Sequence, residues 1–171
     1  MSEIRPVCPR WCPKEAFMLK EISPTFFTHR YYAFDVRTNP VKALVQRDLN
    51  GHPLLKGNGK RKSGKRVPLV HPDELRAWLI HKGEVRCRNP ETGQDIPGGF
   101  RIVEDRPLAI SPVTESHFLK KGQSGAYHSS VQFRGTLEVT NREHFINTYQ
   151  VGIGSAKGFG FGLLLLAPIN I

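Results

Sequence analysis

The clearest pattern in this 171-residue chain is YHSSVQFRGTLEVTNREHFINTYQVGIGSAKGFGFGLLLL, from Tyr127 to Leu166. Apolar and polar residues alternate between Tyr127 and Val139, which predicts a long β-strand. The capping-box pattern over residues 140–143 and the apolar residues at helical spacing after it predict a helix that ends before Gly152. Four leucines follow the glycine-rich segment and predict a last strand that is covered on both faces.

Three upstream segments complete the architecture. Tyr31–Thr38 is rich in β-forming residues and stops at a turn signal, so it predicts a strand. His71–Gly83 carries a proline and two acids in its first turn and predicts a helix, and Phe100–Ile110 predicts an interrupted strand. The resulting β-α-β-β-α-β order predicts an α+β, ferredoxin-like domain of the kind found in RNA-recognition modules.

Two connections are predicted to be loops. Residues 46–66 are rich in Gly, Asn, Ser, Lys and Arg, which favours a mobile loop. Residues 114–125 contain Lys120 and Lys121 next to a glycine and predict a protruding hairpin tip.

The charge of the chain is strongly positive and unevenly placed. There are 25 Lys and Arg against 15 Asp and Glu, a net charge of +10. Residues 1–88 carry all of this excess, because residues 89–171 contain as many acids as bases. A polyanion is therefore the expected partner, and the first half is expected to hold the binding face.

Other protein classes fit poorly. The longest apolar run, residues 163–171, is broken by Pro168 and is far shorter than the roughly 20 residues that cross a bilayer. No secretory leader is recognisable, and three cysteines are an odd number for a disulfide framework. We therefore expect a cytoplasmic protein with no membrane partner. Cys8 and Cys12 are too loosely spaced for a zinc site, so no metal or other cofactor is expected.

Five glycines between Gly152 and Gly162 need an explanation, because each costs backbone entropy when it is ordered. A nucleotide-hydrolase phosphate loop would need Gly-Lys followed by Ser or Thr, and a dinucleotide fingerprint would need a glycine where Lys157 stands. What remains is a loop whose backbone passes close to a helix or to RNA. A sharp turn from helix to strand explains Gly152 and Gly154, but explains the later three poorly.

Four segments resemble CasE-type CRISPR repeat endoribonucleases, the RNA-processing subunits of type I-E Cascade. The glycine-rich ending over residues 152–168 is similar to theirs, as is the strand and turn Phe34-x-x-Arg37-x-Asn39-Pro40-x-Lys42. The basic segment Arg66-Val67-Pro68-Leu69 with the following helix, and Phe133-x-Gly135-x-Leu137, also match in order.

The resemblance implies a domain division and a reaction. Residues 1–30 correspond to a linker or the remnant of an N-terminal ferredoxin-like domain, and residues 31–171 to the C-terminal RNA-binding domain. The implied substrate is the hairpin of a CRISPR repeat transcript, not a small molecule, and the other partners are Cascade subunits. Cleavage at the base of the hairpin uses the RNA 2′-hydroxyl as nucleophile, needs no metal, and leaves the product bound.

The family's usual catalytic histidine has no counterpart in this sequence, because it lies on the first helix of the N-terminal domain. Three alternatives follow: the upstream part was lost or its start was misplaced, the activity depends on another histidine, or the chain only binds RNA. His117 and His128 flank the hairpin that carries Lys120 and Lys121, a hairpin that approaches the scissile phosphate in the family. These four residues are the predicted catalytic neighbourhood.

Basic side chains are predicted to form the groove for the stem phosphates. They are Arg37, Lys42, Arg47, Lys56, Lys60, Arg61, Lys62, Lys65, Arg66, Arg76 and Lys157, with the loop glycines Gly152, Gly154, Gly158, Gly160 and Gly162. Two other classes of function stay open at this stage. They are a non-catalytic RNA-binding module and a structural subunit of a ribonucleoprotein.

Overall fold

The computed structural model describes residues 5–7, 17–19, 24–57, 62–89, 92–118 and 126–169. In chain order the elements are β1 (Arg5–Val7), β2 (Phe17–Leu19), β3 (Tyr31–Thr38), β4 (Val41–Val45), β5 (Ser63–Pro68), α1 (Pro72–Glu84), β6 (Cys87–Arg88), β7 (Asp95–Ile96), β8 (Phe100–Ile102), β9 (Ala109–Ile110), β10 (Thr114–Phe118), β11 (Ala126–Val139), α2 (Arg142–Val151) and β12 (Leu164–Ile169). A 3-10 turn, Lys157–Phe159, lies between α2 and β12.

The main sheet is antiparallel and is built around β3 and β11. β12 pairs with one edge of β3, and β11 pairs with the other. The far edge of β11 pairs in turn with β10, β9 and β8. Counting β8 and β9 as the second of the four strands in the β-α-β-β-α-β order, the strands lie in the order 4-1-3-2. The predicted ferredoxin-like α+β fold is therefore confirmed.

The core lies between one face of this sheet and the two helices. Along β3 every second side chain is buried, which puts Tyr32, Phe34 and Val36 on the helix side. Leu79 of α1 and Phe145 of α2 are fully buried in the same cluster. This alternation follows from the period of two along a strand, and the opposite sheet face is left for polar side chains.

Residues just before β3 also belong to this core. Phe26 is 4% exposed and makes edge-to-face contacts with Tyr32, Phe145 and Tyr149. The backbone of Arg30 pairs with Val139 at the end of β11. The strand pairing therefore extends just upstream of β3.

Both helices begin near the predicted positions. α1 has a proline and two acids in its first turn, as expected, and Trp78 stacks on Phe133 at 6.1 Å. α2 begins one residue later than the proposed capping box implies. Asn141 is the cap, and its side-chain oxygen accepts a 3.0 Å hydrogen bond from the backbone N–H of His144. A single Asn cap therefore replaces the Thr140–Glu143 box.

The last strand is not covered on both faces, as the leucine run had predicted. Leu164 is buried against the core, but Leu163 and Leu165 are 67% and 58% exposed. β12 is an edge strand, and the helices cover only one face of the sheet. A run of leucines cannot distinguish one covered face from two.

Two predicted loops contain strands. Part of residues 46–66 belongs to β5, which pairs antiparallel with β4 and forms a two-stranded ribbon with an irregular register between Ala43 and Val45. Thr114–Phe118 is likewise a strand paired with Ala126–Ser130, so the hairpin begins earlier than expected. Residues 119–125, including Lys120 and Lys121, lie outside the described part of the chain.

Candidate functional site

The glycine-rich segment forms a loop whose two ends meet. The backbone N–H of Ile153 donates to the carbonyl oxygen of Gly162 at 2.9 Å, and the N–H of Gly162 donates to the carbonyl oxygen of Arg37 on β3 at 2.7 Å. Gly152 and Gly162 have positive φ angles of 81° and 86°. A Cβ atom on Gly152 would lie 2.7 Å from the Gly162 oxygen, and one on Gly162 would collide with Ile153. Closure of the loop therefore requires glycine at both ends.

The three glycines inside the loop differ from one another. Gly154, with a φ of 88°, lies against Trp78, whose ring would be 3.1 Å from an added Cβ. Gly160 has a φ of 81° and open space around it, and Gly158 has open space and no positive φ. Loop closure therefore explains Gly162, whereas the contacts within the chain give no reason for glycine at Gly158.

A cluster of polar side chains joins this loop to the ends of β3 and β11. Ser155 Oγ donates to the carbonyl oxygen of Asn39 at 3.1 Å, and Asn39 Nδ2 donates to Nδ1 of His128 at 3.1 Å. Arg37 donates through Nε and Nη2 to Ser130 Oγ at 3.1 and 2.8 Å. The fold thus brings together two predicted site residues, Arg37 and His128.

His128 is half-buried beneath aromatic side chains of the loop. Its ring centroid lies 4.5 Å from that of Phe159 and 5.8 Å from that of Phe161. The Asn39 contact at Nδ1 and the two aromatic rings together fix the orientation of the His128 ring.

His117 is placed differently from His128. It is exposed on β10, and its Nε2 lies 3.5 Å from a carboxylate oxygen of Glu115. His117 is directly opposite Tyr127 on β11, and His128 is the next residue. Because neighbouring residues on a strand point to opposite faces, the two predicted catalytic histidines lie on opposite faces of the hairpin.

Most of the predicted RNA-binding cations lie on one two-stranded element, the basic ribbon (residues 41–68). Lys65 and Arg66 are exposed on β5. Lys42 on β4 places its Nζ 2.5 Å from Glu74 Oε1 of α1, and both side chains are about half exposed. The connecting segment adds three exposed cations, Arg47, Lys56 and Lys62.

The remaining predicted residues fall elsewhere. Arg76 is half-buried on α1, and Lys157 is exposed on the 3-10 turn of the glycine-rich loop. Lys60, Arg61, Lys120 and Lys121 lie outside the described residues.

A cavity of about 450 Å³, the cationic cavity, lies among the glycine-rich loop, α1, α2 and the basic ribbon. Four of the described side chains that line it are cations, namely Arg66, Lys82, Arg86 and Lys157, and none is Asp or Glu. Trp78 forms part of the wall, and Lys82 Nζ lies 5.7 Å from its ring centroid. Positive charge is therefore concentrated in a concave site to which the described part of the chain contributes no carboxylate.

Burial changes the acid–base properties of two lysines in this cavity. The pKa of Lys82 is lowered mainly because its ammonium group is partly removed from water, although the neighbouring Cys87 acts in the opposite direction. Burial also lowers the pKa of Lys157, the positive charges of Arg86 and Lys82 lower it further, and Cys87 again opposes the change. The Lys82 shift therefore reports loss of water around its ammonium group, and the Lys157 shift reports both loss of water and the proximity of two other cations.

Sequence reasoning did not assign Lys82, Arg86 or Asn39 to the site. One signal was available for Lys82, which follows Trp78 by four residues and so lies on the same side of α1. Arg86 follows the end of α1, where no helical pattern predicts the direction of its side chain. Asn39 belongs to the turn signal after β3, which explains its presence without a binding role.

The outer face of the sheet does not add free positive charge at its centre. Arg134 Nε donates to Asp35 Oδ2 at 2.8 Å, and Arg101 binds Glu138 through two nitrogens at 2.6 and 2.7 Å. Burial would raise the pKa of the Asp35 carboxyl, but the hydrogen bonds from Gln132 and Arg134 outweigh it and hold the pKa below its usual value. Arg37, in contrast, donates to a neutral hydroxyl.

Two further features concern metals and membranes. Within the described ranges, no group of three or more His, Cys, Asp or Glu is arranged to hold a metal ion, and Cys8 and Cys12 lie outside those ranges. Neither helix of the described chain is long and apolar enough to span a bilayer.

Comparison with known proteins gives consistent matches. The family described as "CRISPR associated protein" matches residues 5–168. The CRISPR system Cascade subunit CasE of Escherichia coli K12 is 33% identical over 80% of this chain and 57% of its own length. The CRISPR-associated endoribonuclease Cse3 of Thermus thermophilus is 29% identical over 90% of this chain and 64% of its own length. The chain thus spans less than two thirds of both curated relatives.

A solved structure agrees with these matches. It is Thermus thermophilus Cse3 bound to an RNA representing a pre-cleavage complex, with a TM-score of 0.60 and 28% sequence identity. The alignment covers 90% of this chain and 62% of that one. The family match over most of the sequence and the agreement in fold lead to one conclusion, which confirms the resemblance seen in the motifs: this chain belongs to the CRISPR associated protein family.

Proposed function

We propose that this chain binds the hairpin of a CRISPR repeat transcript, takes part in its cleavage at the base of the hairpin, and keeps the product as a subunit of Cascade. The observation that carries the proposal is the concentration of cations on the basic ribbon and around the glycine-rich loop. Relatives named as a Cascade subunit and as an endoribonuclease support the substrate and the reaction. In this assignment residues 31–171 are the RNA-binding domain and residues 1–30 a linker or the remnant of another domain.

The basic ribbon is the surface that would follow the RNA backbone. Its exposed cations, Arg47, Lys56, Lys62 and Lys65, are solvated and accessible to phosphates. Such contacts give affinity and register but read no sequence. Arg37 would add a fixed contact, because two hydrogen bonds to Ser130 orient its guanidinium group.

The proposed reaction is attack of an RNA 2′-hydroxyl on the adjacent phosphorus, in which the hydroxyl gives its proton to solvent water as its oxygen bonds to phosphorus. The bond from phosphorus to the 5′-oxygen breaks, and the products are a 2′,3′-cyclic phosphate and a 5′-hydroxyl. The protein would hold the two nucleotides in line, stabilise the added negative charge and supply a proton to the leaving oxygen. We assign the charge to Lys120 and Lys121, and the proton to His117 or His128.

The geometry of His128 also favours a second function, RNA binding without catalysis by this chain. Phe159 and Phe161 pack against its ring, and the Asn39 side chain contacts Nδ1. The imidazole therefore has a structural role in holding the glycine-rich loop, in addition to any contact with RNA. His117 lies on the other face of the hairpin, so the two rings cannot act as a pair on one phosphate. Under this alternative the histidines orient the RNA or the loop, and cleavage depends on other residues.

One experiment separates these functions. The full chain is incubated with a repeat hairpin, and both binding and cleavage are measured at several salt concentrations. We expect salt-sensitive binding and a cyclic phosphate product that persists in excess chelator. A 2′-deoxy nucleotide at the cleavage position should abolish cutting and leave binding unchanged, because only the nucleophile is removed.

The variants His117→Ala and His128→Ala assign the proton donor. Loss of cleavage with unchanged binding in one of them would identify that histidine, and the other variant is then its matched control. Binding without cleavage in the wild-type chain would favour the non-catalytic function. Absence of binding to any hairpin, even in dilute buffer, would refute the proposal.

A further inference from the structure

Two cations of the cationic cavity are more buried than the cations of the basic ribbon. Lys82 and Arg86 are half-buried, whereas the ribbon cations are exposed. Arg86 Nη1 donates to Asn147 Oδ1 at 3.1 Å, but its Nε is buried with no hydrogen-bond partner among the described residues. A buried donor on a charged group is costly to leave unpaired. Arg86 lines the cavity and therefore keeps one donor unpaired by the described residues, which an anion in the cavity would reach after a shift of the covered side chain.

The polar groups of the cavity are not limited to cations. Asn39 lines it, and the side-chain oxygen of Asn39 is buried with no hydrogen-bond partner among the described residues. The amide nitrogen of the same side chain is engaged by His128. The cavity thus combines cationic donors with a neutral acceptor, a set that suits a group carrying both a phosphate and hydroxyl or amino donors.

Size and wall composition distinguish a nucleotide from a simple anion. The volume of about 450 Å³ lies within the range of small-molecule sites, and it exceeds what a single phosphate needs. Trp78 presents apolar surface next to Lys82, and it lies in the same lining as Lys157. A sugar and base could pack on this wall while the phosphate contacts the cations.

We infer that the cationic cavity binds one nucleotide of the RNA strand, with its backbone phosphate held by Lys82, Arg86 and Lys157. The inference rests on the proposed RNA-binding function and adds a defined subsite to it. A nucleotide of a strand is favoured over a free nucleotide because Arg66 belongs both to the cavity and to β5 of the basic ribbon. A backbone that follows the ribbon would therefore reach the cavity without a gap in positive charge.

The test replaces individual phosphates of a repeat hairpin with single-stranded flanks by neutral methylphosphonates. We measure the Kd of each modified RNA for the wild-type chain and for Lys82→Gln, Arg86→Gln and Lys157→Ala. At one position, neutralisation should weaken wild-type binding about tenfold or more. Each single substitution should reduce this penalty, and a variant that carries all three should show a change of less than about twofold, because all three contacts have then been lost.

Two controls keep the comparison interpretable. Arg142→Ala removes an exposed cation from the first turn of α2, whereas Val151 of the cavity lies at its last turn. This variant should keep the full tenfold penalty. Lys157 is exposed, so Lys157→Ala should fold normally even if one of the half-buried substitutions destabilises the chain, and thermal unfolding verifies this.

Each outcome has a separate meaning. If wild-type chain binds RNA but every variant keeps the penalty at every phosphate, the cavity inference is overturned and the proposed function stands. If no RNA binds, the cavity inference and the proposed function fail together.

In that case a second measurement identifies the ligand of the cavity. It is the rate of Cys87 alkylation in a Cys8→Ser, Cys12→Ser background. Protection by inorganic phosphate or adenosine monophosphate without RNA binding would assign a small phosphate ligand in place of RNA.

Discussion

The basic ribbon and the cationic cavity hold the same kinds of side chain in different surroundings. Ribbon cations are exposed on two strands that form a separate sheet and on the segment that connects them, and Lys42 is the one with a carboxylate partner within the described part of the ribbon. Of the cavity cations, Lys82 and Arg86 are half-buried near Trp78 and the glycine-rich loop. Water screens charges on the ribbon, but screens them less in the cavity. The ribbon should therefore contribute affinity for RNA, and the cavity should fix the position of one nucleotide of the bound strand.

The largest expected effect comes from Gly162, one of the two glycines at which the glycine-rich loop closes. Gly162→Val puts a branched side chain at a φ of 86° and against the Ile153 backbone, so we expect a loss of about 3 kcal/mol or more in unfolding free energy. Gly158→Val is the matched control, because open space surrounds that residue and its change should stay within about 0.5 kcal/mol. Chemical denaturation measures both. Equal losses would mean that the loop is not closed as described.

Removing ribbon charge should change the salt dependence of RNA binding. The triple variant Lys56→Ala, Lys62→Ala, Lys65→Ala should lower the slope of log affinity against log salt by about 2 if all three contact phosphates, since each contact contributes about 0.7 to 0.9. The weakening should be the same for hairpins of different sequence. A cavity variant should lower the slope by about 1 at most. A triple variant that leaves the slope unchanged would remove the ribbon from the interface.

Alkaline pH should weaken the cavity contact before an ordinary lysine loses its charge. The lowered pKa values of Lys82 and Lys157 mean that their ammonium groups deprotonate at lower pH than in water, so phosphate affinity falls as the pH rises through them. The variant Lys82→Arg, Lys157→Arg stays charged and should lose this dependence. Binding is measured from about pH 7 to about pH 10. Identical profiles for the variant and the wild type would contradict the role of desolvation.

The smallest effect is expected where the ribbon meets α1. Lys42→Met removes the ion pair with Glu74, in which both side chains are about half exposed, and should cost less than about 1 kcal/mol of unfolding free energy. Thermal and chemical denaturation are the measurements. A loss above about 2 kcal/mol would show that this pair anchors the ribbon, and effects of ribbon variants on RNA binding would then have to be separated from effects on folding.

Strong local patterns were sufficient to predict the central elements. β3 agrees with the predicted strand residue for residue, and α1 is displaced by one residue at each end. Their residues alternate or repeat over many positions, so the local pattern and the tertiary packing agree. The strands of the basic ribbon were missed because glycines and lysines near Ser63 resemble a loop, and pairing with β4 compensates for that composition only after folding.

The candidate site was predicted in part. Arg66 and Lys157 were selected for their charge, and the structure places both in the lining of one cavity. Lys82 and Arg86 were not selected, because one completes a helical face and the other follows a helix end. Nothing in the local sequence shows that residues separated by some ninety positions share a concave wall. His128 was predicted to belong to the site. Its contact with the Phe159 ring was not predicted, because that contact forms only when the glycine-rich loop folds back.

By itself, the amino-acid sequence determined the order of the main strands and the two helices, the excess of positive charge in the first half, and, through its motifs, the family that the chain resembles. The first two properties follow from short-range periodicity and composition, and all three are present before folding. Tertiary structure alone decided which face of β12 is covered, which histidine meets Asn39, and which cations lose contact with water. Those outcomes depend on contacts between distant segments, and solvent exposure of a side chain is set only when these segments pack.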